Sequence, residues 1–328
     1  MSFIKPKAVR LFLALACVSL ATGVHVQAQD YPTKPIRFVV GFPPGGATDT
    51  AVRRLAEQVS SQIGQPILVD NKPGASGNIA ASFAAKSAPD GYTIFYGTNT
   101  THAMNVSLYA NLGFDPVKDF SPIVMHIKVW NVLSVNAAFD VKNLQDLIAK
   151  AKANPGSIHV ATPGNATSPH MALELFKTSA SIQLTHIPYK GSAPAMIDVL
   201  GNQVPAIFDN LPASLPHIKS GKFRPLAVSS PKRLAILPDV PTFDELGIKG
   251  YQVAGWAAVW APSNTPRPII DRLNREINLA LKIPKLVSMM SDTAFDPQGG
   301  TPEEVGAFAQ EETAKWRAVI RAANIKLD

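Results

Sequence analysis

Cysteine is almost absent from this chain: of 328 residues only Cys17 carries a thiol, and it lies inside an N-terminal apolar run. Beyond that run neither a disulfide nor a thiol nucleophile can be invoked. Lysine and arginine never gather into a run that would track a nucleic-acid backbone, so no nucleic-acid partner is expected. Past the N-terminus, no apolar stretch reaches the length of a membrane span. Heptads, repeats of fixed period and low-complexity tracts are missing too. So are the common catalytic signatures: G-x-S-x-G, H-E-x-x-H and G-x-x-x-x-G-K-[ST]. Ser229-Ser230-Pro231-Lys232 fits S-x-x-K formally, but that chemistry needs both residues on adjacent turns of one helix, and Pro231 after a strand forbids it. His102, His126, His159, His170, His186 and His217 show no i,i+4 pairing beside an acid, so no metal site is expected.

What is present begins with a targeting signal. Met1–Arg10 carries Lys5, Lys7 and Arg10 without an acid, Leu11–Val24 is apolar, and Val26-Gln27-Ala28 offers small residues for a signal peptidase. This reads as a secretory signal over residues 1–28, cleaved after Ala28. Leu13-Ala14-Leu15-Ala16 is a poor lipobox, so Cys17 is expected to leave with the signal rather than carry lipid. An oxidising compartment permits disulfides but does not demand them when the core is large. Loss of the three signal cations takes the formal charge from +7 to +4. That mild excess suits anionic small solutes better than polymers.

Residues 29–328 exceed one comfortable single-core domain, which makes two lobes the default. Short apolar β-rich runs alternate with helical periodicity. The strand candidates are Ile36–Gly41, Ile67–Asn71, Thr93–Gly97, Val132–Val135, Ile158–Ala161, Leu184–Ile187, Ala206–Asp209, Leu226–Ser229 and Ala257–Trp260. Between them, Asp49–Ile63 places Val52, Leu55, Val59 and Ile63 on one helical face and stops at Gly64. Thr301-Pro302-Glu303-Glu304 is a capping box opening a long helix through Trp316 and Ile320. Alternation of this kind predicts α/β architecture with mainly parallel sheets flanked by helices.

The junctions carry the chemistry. In F-V-V-G-F-P-P-G-G-A-T-D-T (38–50) a strand breaks into a glycine loop and feeds a helix. Free N–H groups and the positive dipole end then face one point, which attracts a carboxylate without any cation. Asn71–Asn78, Thr98–His102 and Thr162–His170 repeat the device, the last with Thr167 or Ser168 as cap and Pro169 near the first helical position. In open α/β sheets ligands bind outside the carboxyl ends of strands, where all four loops would lie. Trp256 and Trp260 read as buried strand aromatics, with Trp256 close enough to a lobe crossing to reach a pocket. Lys190 is the tempting cation, though Tyr189-Lys190-Gly191 reads more simply as a solvated turn.

The pattern as a whole resembles the Bug-type (tripartite tricarboxylate transporter) periplasmic solute-binding receptors. The likeness runs from Tyr31 onward through residues 31–49, N-K-P-G-A-S-G-N (71–78), P-D-G-Y-T (89–93), H-I-P-Y-K-G-S-A-P-A (186–195), L-P-D-V-P-T-F-D-E-L-G (237–247) and W-A-A-V-W-A-P (256–262). It implies a two-lobe periplasmic binding protein of the type II-like, flytrap kind, with residues 29–128 plus 253–328 as lobe 1 and 129–252 as lobe 2. It implies a periplasmic receptor, not an enzyme, for a small organic carboxylate: a di- or tricarboxylate, an aromatic acid or an acidic amino acid. The partners implied are integral-membrane subunits of a tripartite transporter, or alternatively a sensor kinase; a monomer without cofactor is expected. Family members grip a carboxylate with two facing loops, which map onto Phe42–Asp49 and Thr162–His170. Gly41 stands where proline is frequent, and Ala166 where glycine is, so its methyl would narrow the pocket. The candidate ligand-binding residues are Phe42, Pro44, Gly45, Gly46, Ala47, Thr48 and Asp49 in the first loop, and Ser76, Asn99, Thr100 and His102 beside it. From the other side come Thr162, Gly164, Asn165, Ala166, Thr167, Ser168, His170, Tyr189, Asp209 and Trp256.

Overall fold

The β-branched run before the first glycine loop folds as strand β1 (Ile36–Val40) of a ten-stranded sheet. The structure is a computed structural model that describes residues 31–322 and 325; the expected signal peptide over residues 1–28, the expected cleavage after Ala28 and Cys17 lie outside the described residues. Helix α1 (Ala47–Ile63) follows, burying Val52, Leu55, Ala56 and Val59. Gly64 ends it in the left-handed region at φ 70°, its N–H returning to the Ser60 carbonyl. Next come β2 (Ile67–Asn71), α2 (Asn78–Ala85), β3 (Thr93–Thr98), a single turn α3 (Asn105–Leu108) and the long strand β4 (Phe120–Asn136).

The middle of the chain alternates α4 (Leu144–Ala153), β5 (His159–Thr162), α5 (Ser168–Ala180), β6 (Thr185–Pro188), α6 (Ser192–Leu200), β7 (Ala206–Asn210), α7 (Leu211–Lys219) and β8 (Phe223–Val228). The last part supplies β9 (Ala254–Pro262), α8 (Arg267–Ala280), α9 (Pro284–Ser291), β10 (Phe295–Gly299) and α10 (Pro302–Ala322). The capping box forms as expected: Glu304 N–H donates to Thr301 Oγ1 at 3.2 Å, and Thr301 N–H to Glu304 Oε2 at 2.7 Å.

The strands run in the order β2-β1-β3-β9-β4-β7-β5-β6, with β10 and β8 also paired to β4. Both ends are parallel, as strand–helix alternation predicts: β2-β1-β3 at one, β7-β5-β6 at the other. The centre is antiparallel, because β4 and β9 carry the chain between the two ends and run against their neighbours. The first part of β4 pairs with β9 and β10, and Asn131–Asn136 with β7 and β8. Only Val132–Val135 of this strand is legible in the sequence. Register shifts at Pro122/Val124 and Met125/Ile127 break the period of two that would have announced the rest.

One buried cluster runs through the sheet from Val39, Phe95 and Trp316 by way of Trp256 to Phe176, Phe208 and Phe243. Glu312 on α10 ties it together, accepting both the Trp256 and Trp316 indole N–H groups on Oε2 at 3.1 and 2.9 Å. Gly41 is required by close approach: a Cβ there would fall 2.8 Å from the Gly77 Cα.

Candidate functional site

A cleft of about 830 Å³ opens among the residues that follow β1, β2, β3, β5, β6 and β7. That is where ligands of open α/β sheets collect, at the carboxyl ends of strands. Fourteen of the candidate residues line it: Phe42, Pro44, Gly46, Ala47, Thr48, Ser76, Asn99, Thr100, Gly164, Asn165, Thr167, Ser168, Tyr189 and Trp256. Seven candidates (Gly45, Asp49, His102, Thr162, Ala166, His170 and Asp209) do not.

The first loop is held from behind. Asp49 is buried and accepts from Gly45 N–H at 3.0 Å, Arg53 Nε at 2.9 Å and Asn71 Nδ2 at 3.0 Å. Asn71 Nδ2 also reaches the Phe42 carbonyl at 3.0 Å, and Arg53 Nη2 donates to Asn71 Oδ1 at 2.9 Å. Burial pushes the Asp49 carboxyl up, but the bonds from Arg53, Gly45 and Asn71 outweigh it and hold the group below its usual range. Gly45 sits at φ 82°, turning the chain into the helix. Gly46 is the N-cap in extended conformation, and no side chain caps the helix. The first-turn N–H groups of α1 are therefore left for something else to satisfy.

The second loop is tied with neutral groups. Thr167 caps α5, accepting His170 N–H at 3.4 Å and donating to the Gly164 carbonyl at 2.7 Å. Ser168 Oγ and Asn210 Nδ2 both donate to Asn131 Oδ1, at 3.3 and 2.7 Å. Ala166 lies at φ 59°, with its N–H on His170 Nδ1 at 3.2 Å. Thr162 Oγ1 meets His186 Nε2 at 2.6 Å. Across the cleft, Ser76 Oγ donates to the Asn165 carbonyl at 3.3 Å, linking the β2 loop to this one.

Three other candidates are committed elsewhere. His102 is a core residue, stacked on Trp260 at 4.1 Å, and burial lowers its pKa to about 3. Tyr189 lines the cleft, but its hydroxyl is bonded to Asp198 Oδ2 at 2.6 Å; burial and that carboxylate raise its pKa to about 12. Asp209 is fully buried, Oδ1 accepting Ser192 Oγ at 2.9 Å and Asn210 N–H at 2.7 Å, while Oδ2 has no partner. Burial raises this carboxyl to about 7 against the pull of those two bonds.

Sequence reasoning missed Gly191-Ser192-Ala193 at the N-terminus of α6, Asn210, Tyr96, Tyr109 and Phe295, and took Thr98 into a candidate loop without singling it out; all are in the cleft wall. The α6 junction was findable: Tyr189-Lys190-Gly191-Ser192 is again a strand end, a glycine and a helix start, and Gly191 is an N-cap without side-chain help. Thr98 Oγ1 is a buried hydroxyl without a partner. Asn210 and Phe295 carry no local signal.

The family model described as tripartite tricarboxylate transporter family receptor matches residues 51–325. This chain belongs to that family. The receptor is 38% identical to Protein BugT of Bordetella pertussis over 319 residues, 96% of this chain and 98% of that protein. Among solved structures, R. palustris Rpa4515 with adipate is 38% identical at a TM-score of 0.88, covering 91% of this chain and all of that one. The periplasmic binding protein BugD is 34% identical at a TM-score of 0.85, covering 90% of this chain and all of its own. The chain is thus a periplasmic solute-binding receptor with a small-molecule ligand, not an enzyme.

Proposed function

We propose that the receptor closes two lobes, residues 29–128 with 253–328 and residues 129–252, on a small organic carboxylate and delivers it to the membrane subunits of a tripartite permease. The carrying observation is the chemistry of the cleft wall. Loops after β1, β5 and β6 bring the N-terminal turns of α1, α5 and α6 to it. Among the described residues lining it, Lys190 alone is charged. A carboxylate leaving water must recover strong hydrogen bonds, and fixed N–H groups and hydroxyls supply them. Neutral donors on both sides make closure favourable only with ligand present, yet leave it able to depart.

Adipate bound to Rpa4515 supports a carboxylate of about that size, and the family description supports the permease. The lobe division is supported by the sheet, whose two parallel ends meet at β4 and β9. The test is calorimetry and thermal shift of residues 29–328 with adipate and a library of mono-, di- and tricarboxylates. At 100 times its Kd a ligand adds about 2.7 kcal/mol to stability, so at least one carboxylate should raise the melting temperature. A library without a single binder would overturn the reading. Ligand should also shrink the radius of gyration in solution scattering; binding without contraction would remove the two-lobe clamp.

A further inference from the structure

Behind the second loop, out of the cleft wall, two histidine rings lie face to face: His170 on α5 and His186 on β6, centroids 4.0 Å apart and planes at 13°. Each ring is bonded to the loop. His170 Nδ1 accepts the Ala166 N–H, so it carries no proton; the ring proton is on Nε2, 3.9 Å from Glu174 Oε1. His186 Nε2 meets Thr162 Oγ1, whose own backbone carbonyl accepts Tyr189 N–H at 3.0 Å.

Ala166 needs this support. An alanine in the left-handed region is disfavoured, and it persists where its surroundings over-determine it. Its N–H is buried and turned to the imidazole rather than to the cleft. Left without an acceptor, that N–H would favour a different turn, and Gly164, Asn165 and Thr167 would move with it. Protonation of His170 would set two donors against each other. Burial first, then the charges of His186 and Lys177, lowers its pKa to about 3; burial and Lys177 take His186 to about 4. Both rings are therefore neutral at working pH.

We infer that His170, backed by His186, is a positioning residue for ligand capture: its Nδ1 holds the Ala166 turn and thereby fixes the gripping shape of the second loop, without touching ligand. This rests on the carboxylate reading above. Phenylalanine at 170 would keep the stack but offer no acceptor; asparagine would give up the stack but place Oδ1 where Nδ1 stood.

With adipate as the calorimetric probe on residues 29–328, His170→Phe should weaken binding at least tenfold, and His170→Asn should stay within threefold of wild type. Equal losses in both variants, or no loss in His170→Phe, would overturn the inference. If His170→Phe does not fold, nitrogen NMR of the wild type decides. A ring unprotonated at Nδ1 and not titrating between pH 5 and 8, with a slowly exchanging Ala166 amide, upholds it; a proton on Nδ1 or a titration in that window defeats it. Failure of wild type to bind adipate would count against adipate as ligand, and the NMR result would still judge His170.

Discussion

The two loops that line the cleft are held in place by opposite chemistry. The first is pinned by charge: buried Asp49, its side chain 5% exposed, pairs with Arg53, half exposed at 50%. The second is pinned by neutral groups, a hydroxyl cap and two stacked imidazoles. Asp49 and Arg53 lie outside the cleft wall, as do both imidazoles; among these groups the Thr167 cap alone also lines it. A loop can thus present bare N–H groups to a ligand only if other residues, out of sight, hold the backbone still. The charged lock can draw on water at its Arg53 end, whereas the neutral one lies where an ion would be costly.

The largest expected effect comes from crowding the first loop without disturbing its lock. A Cβ at Gly46 would meet only the Pro43 carbonyl, at 3.8 Å, and the residue is extended at φ −79°. Gly46→Val should therefore fold normally, yet lose about a hundredfold in adipate affinity, roughly 2.7 kcal/mol. Calorimetry beside a melting curve checks both halves; unchanged affinity would mean that ligand does not approach this backbone.

Removing the charged lock comes next. Asp49→Ala orphans the Gly45 N–H, takes one of two acceptors from the Asn71 amide, which keeps the Phe42 carbonyl, and frees Arg53 Nε; it should cost about 2 kcal/mol in urea unfolding, discounted because Arg53 is partly solvated. Since the Asp49 pKa is held low, its contribution is fully present above the ordinary carboxylate value and is lost as pH falls from there through the group's own lowered pKa. A loss below about 0.5 kcal/mol would leave the first loop without a lock and erase the contrast.

The imidazoles of the core and of the second loop carry a pH signature of their own. His102, His126 and His170 fall to about 3 and His186 to about 4, all chiefly through burial. Below the ordinary histidine pKa the unfolded chain binds protons that the fold refuses, so stability should rise as pH climbs from about 4 to about 6.5. Asp209 works the other way. Raised to about 7, it holds a proton in the fold that the unfolded chain releases above about 4, so it lowers stability over the same window. Four histidines against one aspartate leave a net rise, and Asp209→Asn should steepen it. A flat profile by chemical denaturation between pH 4 and 6.5 would show that the rings are not held neutral.

How much of this was legible follows from what is local. Strand, glycine loop and helix N-terminus are consecutive in sequence, so β1 and α1 with the loop between them, and β5 and α5 with theirs, could be read residue by residue. The locks could be read only as types: Asp49 and His170 look like ligand residues because they sit in the right loops. Whether a side chain faces the cleft or the loop's underside depends on partners 22 residues away at Asn71 and 16 away at His186. Phe295 reaches the cleft on β10, whose five residues include a proline and a glycine that hide it as a strand. The antiparallel centre was hidden for a related reason, since β4 earns its length from pairing with β9 rather than from its own alternation.

The smallest effect should come from the one charged side chain of the cleft wall. Lys190 is exposed, on the turn between β6 and α6, and nothing buries its ammonium against the loops. An ion pair made in water gains little, because the lysine gives up hydration and side-chain freedom in return, and salt screens what is left. If neutral donors carry the grip, Lys190→Ala should lower adipate affinity by less than about threefold, under roughly 0.7 kcal/mol, with most of the change vanishing at high salt. Placed beside Gly46→Val, this variant ranks the two models of the cleft. A large loss for the lysine and a small one for the glycine would make the site a cation trap, and the care with which both loops are held would then need another explanation.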